Sequence, residues 1–433
     1  MNVRLLVAAT MVLALAACGP APIDPYRQVG PNPYLPDIHQ YLLPPMKVAK
    51  IVGWGDKTPT VAPGLQIKAM AKDLHDPRSI YVLPNGDILV VEADGPPAPV
   101  HRPKELVMNL LEKKAHSAVK GGNRILLLRD ADGDGVPELQ TVLIDHLNHP
   151  FGVVLVGSDL YVANTDAVVR FPYFPGEIQI REPGVKLTDL PGGPIDHHWT
   201  KSLTASPDGT KLYAGVGSNS NITENGIGAE LGRAAIWEID RATGAHREFA
   251  TGLRNPNGLT FEPTTHQLWT VVNERDELGP DLVPDYMTSV KDGGFYGWPY
   301  SYYGQHLDPR VKPQRPDLVA KAIAPDYALS SHVAPLGLVF YTGSNLPPQY
   351  RGGAFVGEHG SWDRTQLNGY KVVYVPFANG RPSGSAQDVV TGFVGSDGAA
   401  HGRPVGVAMD SRGGLLIADD AGNVVWRVTA AGS

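Results

Sequence analysis

The chain has 433 residues, of which 42% are hydrophobic and 19% charged, so it can bury a large core. Its 49 glycines and 39 prolines are typical of a chain that turns often, which argues against a helical protein. The formal net charge of −7 argues against a nucleic-acid-binding protein, which usually presents a basic face. The single cysteine excludes an internal disulfide, a cysteine-rich zinc site, an iron–sulfur cluster and a c-type haem.

The N-terminus has the features of a bacterial lipoprotein signal. Residues 1–17 combine a basic start, a short apolar stretch and small residues, and are shorter than a membrane span requires. Leu15 precedes Cys18 with two alanines between them, which resembles a lipobox in which Cys18 is lipidated. We therefore expect the protein on the periplasmic face of a bacterial membrane, attached only through this lipid. An ordinary signal peptide that happens to contain a cysteine is the alternative. Pro-rich residues 18–45 predict a tether, and residues 46–433 a folded domain.

Six copies of one pattern are spread along the chain, each a turn such as PDG or PNG followed by an apolar strand and a polar cluster. The copies begin at Leu83, Leu155, Ser206, Glu262, Gln349 and Asp410. One such unit cannot bury both of its faces, but six packed radially can. The pattern therefore predicts an all-β, six-bladed β-propeller with long inter-strand loops, rather than a large β-sandwich. Loops from several blades meet at the pore of such a fold, so distant positions can form one site.

An acidic turn in the first third of the chain predicts a calcium site. Asp130, Asp132 and Asp134 alternate with small residues, and calcium prefers several oxygen ligands around one ion. Thr141 stands where an EF-hand loop has its glutamate, and no helices are predicted on either side. We therefore expect a structural calcium that is unrelated to catalysis and is not an EF-hand. A solvated acidic turn is the alternative.

A histidine pair and three arginines are candidates for catalysis and anion binding. His197 and His198 precede a predicted strand, and adjacent side chains of an extended segment point in opposite directions. One neutral imidazole facing the pore could accept a proton near neutral pH, although a lone loop histidine is more often structural. Arg254, Arg364 and Arg403 occupy similar blade ends, where guanidinium groups could bind an anion.

The segment that follows offers carboxylates and aromatic rings. Asp276, Asp281 and Asp285 could hold a cation, and the residues GGFYGWP could stack on a sugar or a flat cofactor, or pack in the core. The chain contains no nucleophile elbow, zinc-protease motif, Walker loop or strand-associated dinucleotide motif. A nicotinamide or flavin enzyme of Rossmann type is therefore not expected.

Read together, several segments resemble one enzyme family. HHWTK, GLRNPNGL, NERDELGPDLVPDY, GGFYGWPYSYYG, HVAPLGLVFY, GEHGSWDR and GRPVGVA resemble the glucose/sorbosone dehydrogenases, soluble enzymes that use pyrroloquinoline quinone (PQQ). The chain resembles in particular the sorbosone and pyranose dehydrogenase branch. This resemblance implies PQQ and Ca²⁺ as cofactors and a sugar or sugar-derived aldehyde as substrate. It also implies an external electron acceptor, such as a cytochrome or a quinone, since the chain has no haem motif.

The resemblance assigns roles to individual residues. His198 matches the general base that removes the substrate's hydroxyl proton while hydride passes to the quinone. Arg254 and Asn255 match the pair that contacts the quinone oxygens and the substrate, with Arg254 helping calcium to polarise a quinone carbonyl. Arg403 matches an arginine that binds a PQQ carboxylate, and Arg364 the family's other cationic contact.

The resemblance also implies where calcium binds. The main-chain oxygens of Arg275 and Asp276 match the positions that hold the cofactor's calcium, with Asp281 or Asp285 near a second ion.

One position departs from the family pattern. Ser218 stands where the better-known glucose dehydrogenases have an aspartate that orients the base. Either Asp196 or another pore carboxylate replaces it, or the histidine is less basic here. Two other functions compete with a dehydrogenase: a calcium-dependent propeller lactonase, which needs no arginine cluster, and a non-catalytic sugar-binding propeller.

Overall fold

The computed structural model describes residues 23–41, 46–97 and 120–432. Its strands form six blades, which confirms the predicted six-bladed β-propeller. Each of the six repeats seen in the sequence supplies the first turn and the second strand of one blade. The inner strands of successive blades contact one another in a closed ring, so the blades surround a common axis. Cys18 and the predicted signal lie outside the described residues.

The first three blades follow one another along the chain, and their strands are given from the inner to the outer one. Blade 1 comprises Pro77–Val82, Ile88–Glu92, Arg124–Arg129 and Leu139–Ile144. Blade 2 comprises Gly152–Val156, Asp159–Ala163, Ala167–Pro172 and Val185–Asp189. Blade 3 comprises Leu203–Ala205, Lys211–Val216, Ala235–Asp240 and His246–Thr251, with Gly294–Phe295 added at its outer edge. Neighbouring strands within the four-stranded units are antiparallel.

The remaining blades draw strands from both ends of the chain. Blade 4 comprises Pro256–Phe261, Leu268–Val272, Pro284–Ser289 and Tyr327–Ser331, with Val29–Gly30 added outside. Blade 5 comprises Pro335–Phe340, Ala354–Glu358, Lys371–Val375 and Gln387–Thr391, with Thr60–Val61 added outside. Blade 6 comprises Pro404–Met409, Leu415–Asp419, Val424–Ala430 and Leu65–Ala71. The N-terminal strand Leu65–Ala71 therefore closes the ring against the last strand of the chain.

Short elements complete the described structure. Two-residue strands pair as Lys50–Ile51 with Ala399–Ala400, Ser301–Tyr302 with His306–Leu307, and Phe377–Ala378 with Arg381–Pro382. Helical turns occur at Pro25–Gln28, Ile227–Glu230, Pro316–Val319 and Pro348–Tyr350. None of the helices in the described ranges is long and apolar enough to cross a membrane.

Glycines allow the inner strands to approach closely around the axis. A Cβ atom on Gly337 would lie 2.3 Å from the carbonyl oxygen of Val405, and one on Gly406 would lie 2.7 Å from that of Arg78. Real Cβ atoms do not approach backbone this closely, so any larger residue would push neighbouring blades apart. This tight ring fixes the ends of the inner strands, from which the candidate site is built.

Part of the predicted tether belongs to the folded domain. Val29–Gly30 pairs with the outer strand Tyr327–Ser331 and covers backbone groups that would otherwise form a free sheet edge. Gln28 is buried, and its Nε2 donates to the carbonyl oxygen of Asp281 at 2.5 Å. Within the predicted tether, the residues from Pro25 to Gly30 thus lie against blade 4.

Candidate functional site

Most candidate residues gather at one end of the propeller, whereas the acidic turn at Asp130 follows the third strand of blade 1 and lies at the other end. Because neighbouring strands are antiparallel, the start of each inner strand lies beside the end of the second strand. Arg254, Asn255 and Arg403 immediately precede inner strands, whereas Ser218 and Asp276 follow second strands. The topology therefore brings loops from separate blades to the same end, as the sequence predicted.

The imidazole of His198 is held in one orientation by Ser218. His198 Nδ1 lies 3.0 Å from both the carbonyl oxygen and the Oγ of Ser218. The Ser218 hydroxyl donates to the carbonyl oxygen of Ser220 at 2.7 Å. Since the Ser218 carbonyl can only accept, Nδ1 carries the proton, and Nε2 keeps its lone pair. This tautomer leaves Nε2 as the proton acceptor.

The surroundings make His198 a weak base. Burial lowers its pKa well below the usual 6.5, and the positive charge of Arg254 lowers it further. The ring of His197 packs edge-on against that of His198 with centroids 4.6 Å apart, and the His197 side chain is exposed. The sequence left open whether Asp196 or another carboxylate orients His198, or whether this histidine is less basic. The structure favours the less basic histidine, because Asp196 pairs with Arg233 and Lys201 instead.

Asp196 instead belongs to a buried ionic cluster beneath the histidine loop. Its two carboxylate oxygens contact Arg233 Nη1 at 2.6 Å and Lys201 Nζ at 3.3 Å. Lys201 Nζ also donates to the carbonyl oxygens of Trp199 at 3.0 Å and His198 at 3.4 Å. Burial lowers the pKa of Lys201 to about 8, although Asp196 opposes this effect. This lysine therefore supports the backbone that carries His198, and sequence reasoning did not identify it.

Arg254 is buried, and protein atoms occupy all of its donors. Its Nη1 donates to the carbonyl oxygens of Glu274 at 2.6 Å and Asn273 at 3.2 Å. Its Nη2 donates to Asn221 Oδ1 and Asp276 Oδ2, both at 3.0 Å, and its Nε donates to the Asn221 carbonyl at 3.2 Å. The guanidinium thus supplies charge to the site, while a new hydrogen bond to a ligand would require one of these partners to move.

Asn255, the other predicted partner of the quinone, has an unsatisfied atom. Its side chain is buried, and Oδ1 has no hydrogen-bond partner. A buried polar atom without a partner is costly, so this oxygen is a candidate acceptor for a donor group of a ligand. The predicted ligand contact at Asn255 stays a prediction.

A second charged cluster surrounds Arg403. Arg403 Nε and Nη2 donate to the carbonyl oxygens of His359 at 3.0 Å and Gly360 at 2.8 Å. His359 Nε2 lies 2.8 Å from Asp420 Oδ2, and Arg78 Nη1 pairs with the same carboxylate. Burial and the charge of Arg403 lower the pKa of His359 to about 3, so this ring is neutral. Asp420 thus contacts both His359 and Arg78, and the charge of Arg403 also acts on it.

Arg78 was not identified from the sequence, although a signal was present. Its Nε is buried without a hydrogen-bond partner, and the guanidinium lies 5.7 Å from the centre of the Trp199 ring. Four inner strands begin with proline, at Pro77–Val82, Pro256–Phe261, Pro335–Phe340 and Pro404–Met409. The predicted Asn255 and Arg403 stand directly before such prolines, and Arg254 stands one position earlier. Arg78 directly follows Pro77, so a search for polar residues next to these prolines would have found it.

Arg364 is committed to partners within the protein. Its Nη2 donates to Asp281 Oδ1 at 2.6 Å and its Nη1 to the carbonyl oxygen of Ser331 at 3.2 Å. Asp281 is thereby neutralised by a guanidinium rather than left free for a second ion. The predicted roles of Arg364 toward the cofactor and of Asp281 toward a metal stay predictions that these contacts do not favour.

Of the two main-chain oxygens expected to bind calcium, those of Arg275 and Asp276, the second is already hydrogen-bonded. The Asp276 carbonyl accepts from Arg275 Nη2 at 2.7 Å and from Arg275 Nε at 3.0 Å, while Arg275 Nη1 pairs with Asp308. A calcium ion at this oxygen would have to displace a guanidinium. The Asp285 carboxylate accepts hydrogen bonds from the backbone N–H groups of Glu274 and Ala334, each at 2.7 Å. It therefore stabilises two loops and is not a free carboxylate.

Two groups of side chains within the described ranges could hold a metal ion. One is the predicted acidic turn, where Asp130, Asp132, Asp134 and Glu138 bring oxygen atoms within 4.8 Å of one another. Backbone N–H groups of this turn also bind its carboxylates, for example Gly133 N to Asp130 Oδ1 at 2.7 Å. The other group consists of Asp276, His332 and Asp363, and sequence reasoning found only its first member.

The aromatic residues after Asp285 pack within the protein. Tyr296 is fully buried and donates to the carbonyl oxygen of Ser289 at 2.6 Å. Trp298 is buried, and its Nε1 donates to the carbonyl oxygen of Asn221 at 3.1 Å. Of the two interpretations of GGFYGWP, the structure thus favours core packing for these two rings.

Comparisons with known proteins agree with this architecture. The model of the TrAA12-like family matches residues 117–286 and 313–431 of the chain. An uncharacterized protein of Borreliella burgdorferi is 27% identical over 292 residues, which cover 65% of this chain and 76% of that protein. The pyrroloquinoline quinone-dependent pyranose dehydrogenase of Coprinopsis cinerea is 24% identical over 358 residues, which cover 73% of this chain and 44% of that protein.

A solved structure shares the same fold. The holo form of the pyranose dehydrogenase PQQ domain from Coprinopsis cinerea matches with a TM-score of 0.69 and 21% identity. The match covers 86% of this chain and 97% of that chain. The agreement extends over nearly the whole described propeller.

Proposed function

Because the chain belongs to the TrAA12-like family, we propose that it oxidises a sugar, or a sugar-derived aldehyde of the sorbosone or glucosone type, with PQQ as cofactor. The observation that carries this proposal is the state of His198. Its Nδ1 is anchored to Ser218 at 3.0 Å, its Nε2 keeps a lone pair, and the charge of Arg254 acts on the ring. A sugar dehydrogenase needs such a proton acceptor beside a site that binds an anionic quinone.

The residues at this end of the propeller fit PQQ, which carries carboxylates and quinone oxygens. Arg78 Nε and Asn255 Oδ1 are buried polar atoms without partners, and Arg403 adds a second guanidinium. We propose that Arg78 and Arg403 bind the carboxylates and that Asn255 binds a polar group of the ring system. When bound, PQQ would accept the hydride that the substrate loses.

The chain's own part in the reaction is to orient the substrate and to accept its proton. His198 Nε2 would accept the hydroxyl proton, because Nδ1 already donates to Ser218. The low pKa keeps this imidazole unprotonated at neutral pH, and so ready to accept a proton at each turnover. Lys201 would keep Nε2 in place by holding the carbonyl oxygens of His198 and Trp199.

Further proposals concern calcium, the electron acceptor and location. We propose that Ca²⁺ accompanies the quinone, and that a separate acceptor such as a cytochrome or a quinone reoxidises the cofactor. A structural calcium at Asp130, Asp132 and Asp134 is proposed from the alternating carboxylates of that turn. We further propose that a lipid on Cys18 holds the protein at the periplasmic face of a bacterial membrane.

Dye reduction by purified protein tests the function. The protein is supplied with PQQ and Ca²⁺ and offered a panel of aldoses, 2-ketoaldoses and polyols. His198→Ala should still bind PQQ but reduce the dye at least about a hundredfold more slowly, the usual effect of losing a general base. His197→Ala is the matched control and should keep most of the activity. If neither variant loses activity, or no substrate in the panel is oxidised, the proposed function is wrong.

A further inference from the structure

Three side chains from separate loops meet beside the buried arginine of the site. Asp276 follows the second strand of blade 4, His332 follows the outer strand of the same blade, and Asp363 follows the second strand of blade 5. We propose that they form a binding site for a divalent transition-metal ion, Zn²⁺ or Mn²⁺. This site uses side chains and is independent of the proposed function, because it requires neither PQQ nor a sugar.

The spacing of the three ligand atoms fits one ion. His332 Nδ1 lies 3.3 Å from Asp363 Oδ1 and 3.5 Å from Asp276 Oδ1. Two ligands that are each about 2.0–2.2 Å from a metal, at angles between octahedral and tetrahedral, lie roughly 2.9–3.5 Å apart. Charge-assisted hydrogen bonds are shorter, at about 2.7–2.9 Å. These separations allow one metal ion to contact all three side chains, in place of the proton that otherwise pairs His332 with the two carboxylates.

Neighbouring groups leave the required lone pairs free. His332 Nε2 lies 3.2 Å from the carbonyl oxygen of Gly279, which fixes that nitrogen as the donor and allows Nδ1 to bind a metal. Arg254 Nη2 contacts Asp276 Oδ2 at 3.0 Å, whereas the other oxygen of this carboxylate, Oδ1, faces His332. Asp363 is buried, and its Oδ1 has no hydrogen-bond partner. This oxygen faces His332 Nδ1 at 3.3 Å and has a lone pair available for a metal ion.

The ligand types select the class of metal. One imidazole nitrogen and two carboxylate oxygens suit Zn²⁺ or Mn²⁺, whereas Ca²⁺ prefers about six to eight oxygen ligands. Three protein ligands also leave at least one coordination position for water. The site therefore differs in chemistry from the all-oxygen acidic turn at Asp130 to Glu138.

Metal titration of the full chain, stripped with EDTA and kept free of PQQ, tests this proposal. We expect calorimetry to show one Zn²⁺ bound at this site, with affinity reduced at least about tenfold by His332→Gln and by Asp363→Asn. Asp134→Asn, in the separate acidic turn, is the matched control and should leave this Zn²⁺ affinity unchanged. Electron spin-echo measurements on the wild-type protein with one Mn²⁺ should show coupling to an imidazole nitrogen, which does not depend on a variant folding.

The same measurements can overturn the assignment. Absence of both Zn²⁺ and Mn²⁺ binding by the wild-type chain would refute it. So would an affinity that is unchanged in His332→Gln, or a nitrogen coupling that disappears in His197→Gln, since the exposed His197 is another possible ligand. A nitrogen coupling that persists in His197→Gln and is absent from a folded His332→Gln protein supports the site.

Discussion

The buried ammonium of Lys201 should make stability depend on pH in an unusual direction. Its side chain is fully buried, and burial lowers its pKa from the usual 10.5 to about 8 despite the nearby carboxylate of Asp196. Between these two values the unfolded chain keeps this proton and the folded chain releases it. The folded state is therefore favoured progressively as the pH rises through this interval.

The size of the effect follows from the shift. Each pH unit in this interval adds about 1.4 kcal/mol to the free energy of unfolding, so the whole interval adds about 3 kcal/mol. Below about pH 8 both states hold the proton, and Lys201 contributes no slope. Lys201→Met removes the titrating group, so this rise should be absent from the variant.

Urea unfolding of the two proteins at pH 7, 8, 9 and 10.5, followed by tryptophan fluorescence, measures this difference. The stability of wild type minus that of Lys201→Met should grow by about 3 kcal/mol across the series. Lys211→Met is the control, because Lys211 pairs with Asp240 at 2.7 Å at the surface and its pKa is raised. The stability difference between wild type and Lys211→Met should not grow with pH in this way.

Two results would refute the reasoning about Lys201. A difference that does not change with pH would mean that the ammonium has its ordinary pKa, and that burial does not outweigh Asp196. A difference that falls with pH would mean that the charge of Asp196 raises the pKa of Lys201 by more than burial lowers it. Lys201→Met should also lower kcat with PQQ binding retained, because the carbonyl oxygens of His198 and Trp199 lose their donor.

Three further predictions concern the base, the metal and the lipid. On the acid side, the pH profile of sugar oxidation should have an apparent pKa below 6.5. This pKa should change little in Ser218→Ala, because the variant keeps the carbonyl oxygen beside His198 Nδ1. An apparent pKa above 6.5 would contradict the interpretation of His198. Dialysis against EGTA should abolish PQQ binding and activity, and Ca²⁺ should restore both; full activity in protein shown by elemental analysis to lack calcium would exclude a calcium requirement. Cys18→Ala should release the protein from the membrane fraction or stall its processing, whereas soluble wild-type protein without an acylated N-terminal peptide would contradict lipidation.

The propeller could be predicted because its signal is local and repeated. Turns such as those at Ser206 and Asp410 precede apolar strands in all six units, and each proved to be the first turn of a blade. The pairing of Val29–Gly30 with blade 4 could not be predicted in this way. A two-residue strand has no period to detect, and its position depends on which sheet edge is open.

Candidate site residues could be named from the sequence, but the groups that contact them could not. His198 and Asn255 lie in recognisable motifs, and the structure places both at the same end of the propeller. The group that orients His198 is a main-chain carbonyl, which every residue has, so the identity of Ser218 carries no signal for it. The convergence of His332 with Asp276 and Asp363 depends on three loops that are far apart in the sequence.

The closure of the ring by Leu65–Ala71 has a consequence for how the protein is made. Leu65 pairs with Ala430, which a ribosome synthesises long after Leu65. Until the strand Val424–Ala430 emerges, Leu65–Ala71 has no partner strand in blade 6 and the ring stays open. Chains that terminate early should therefore have neither a closed ring nor an assembled site, so that prematurely ended products stay inactive and expose unpaired strands to proteases.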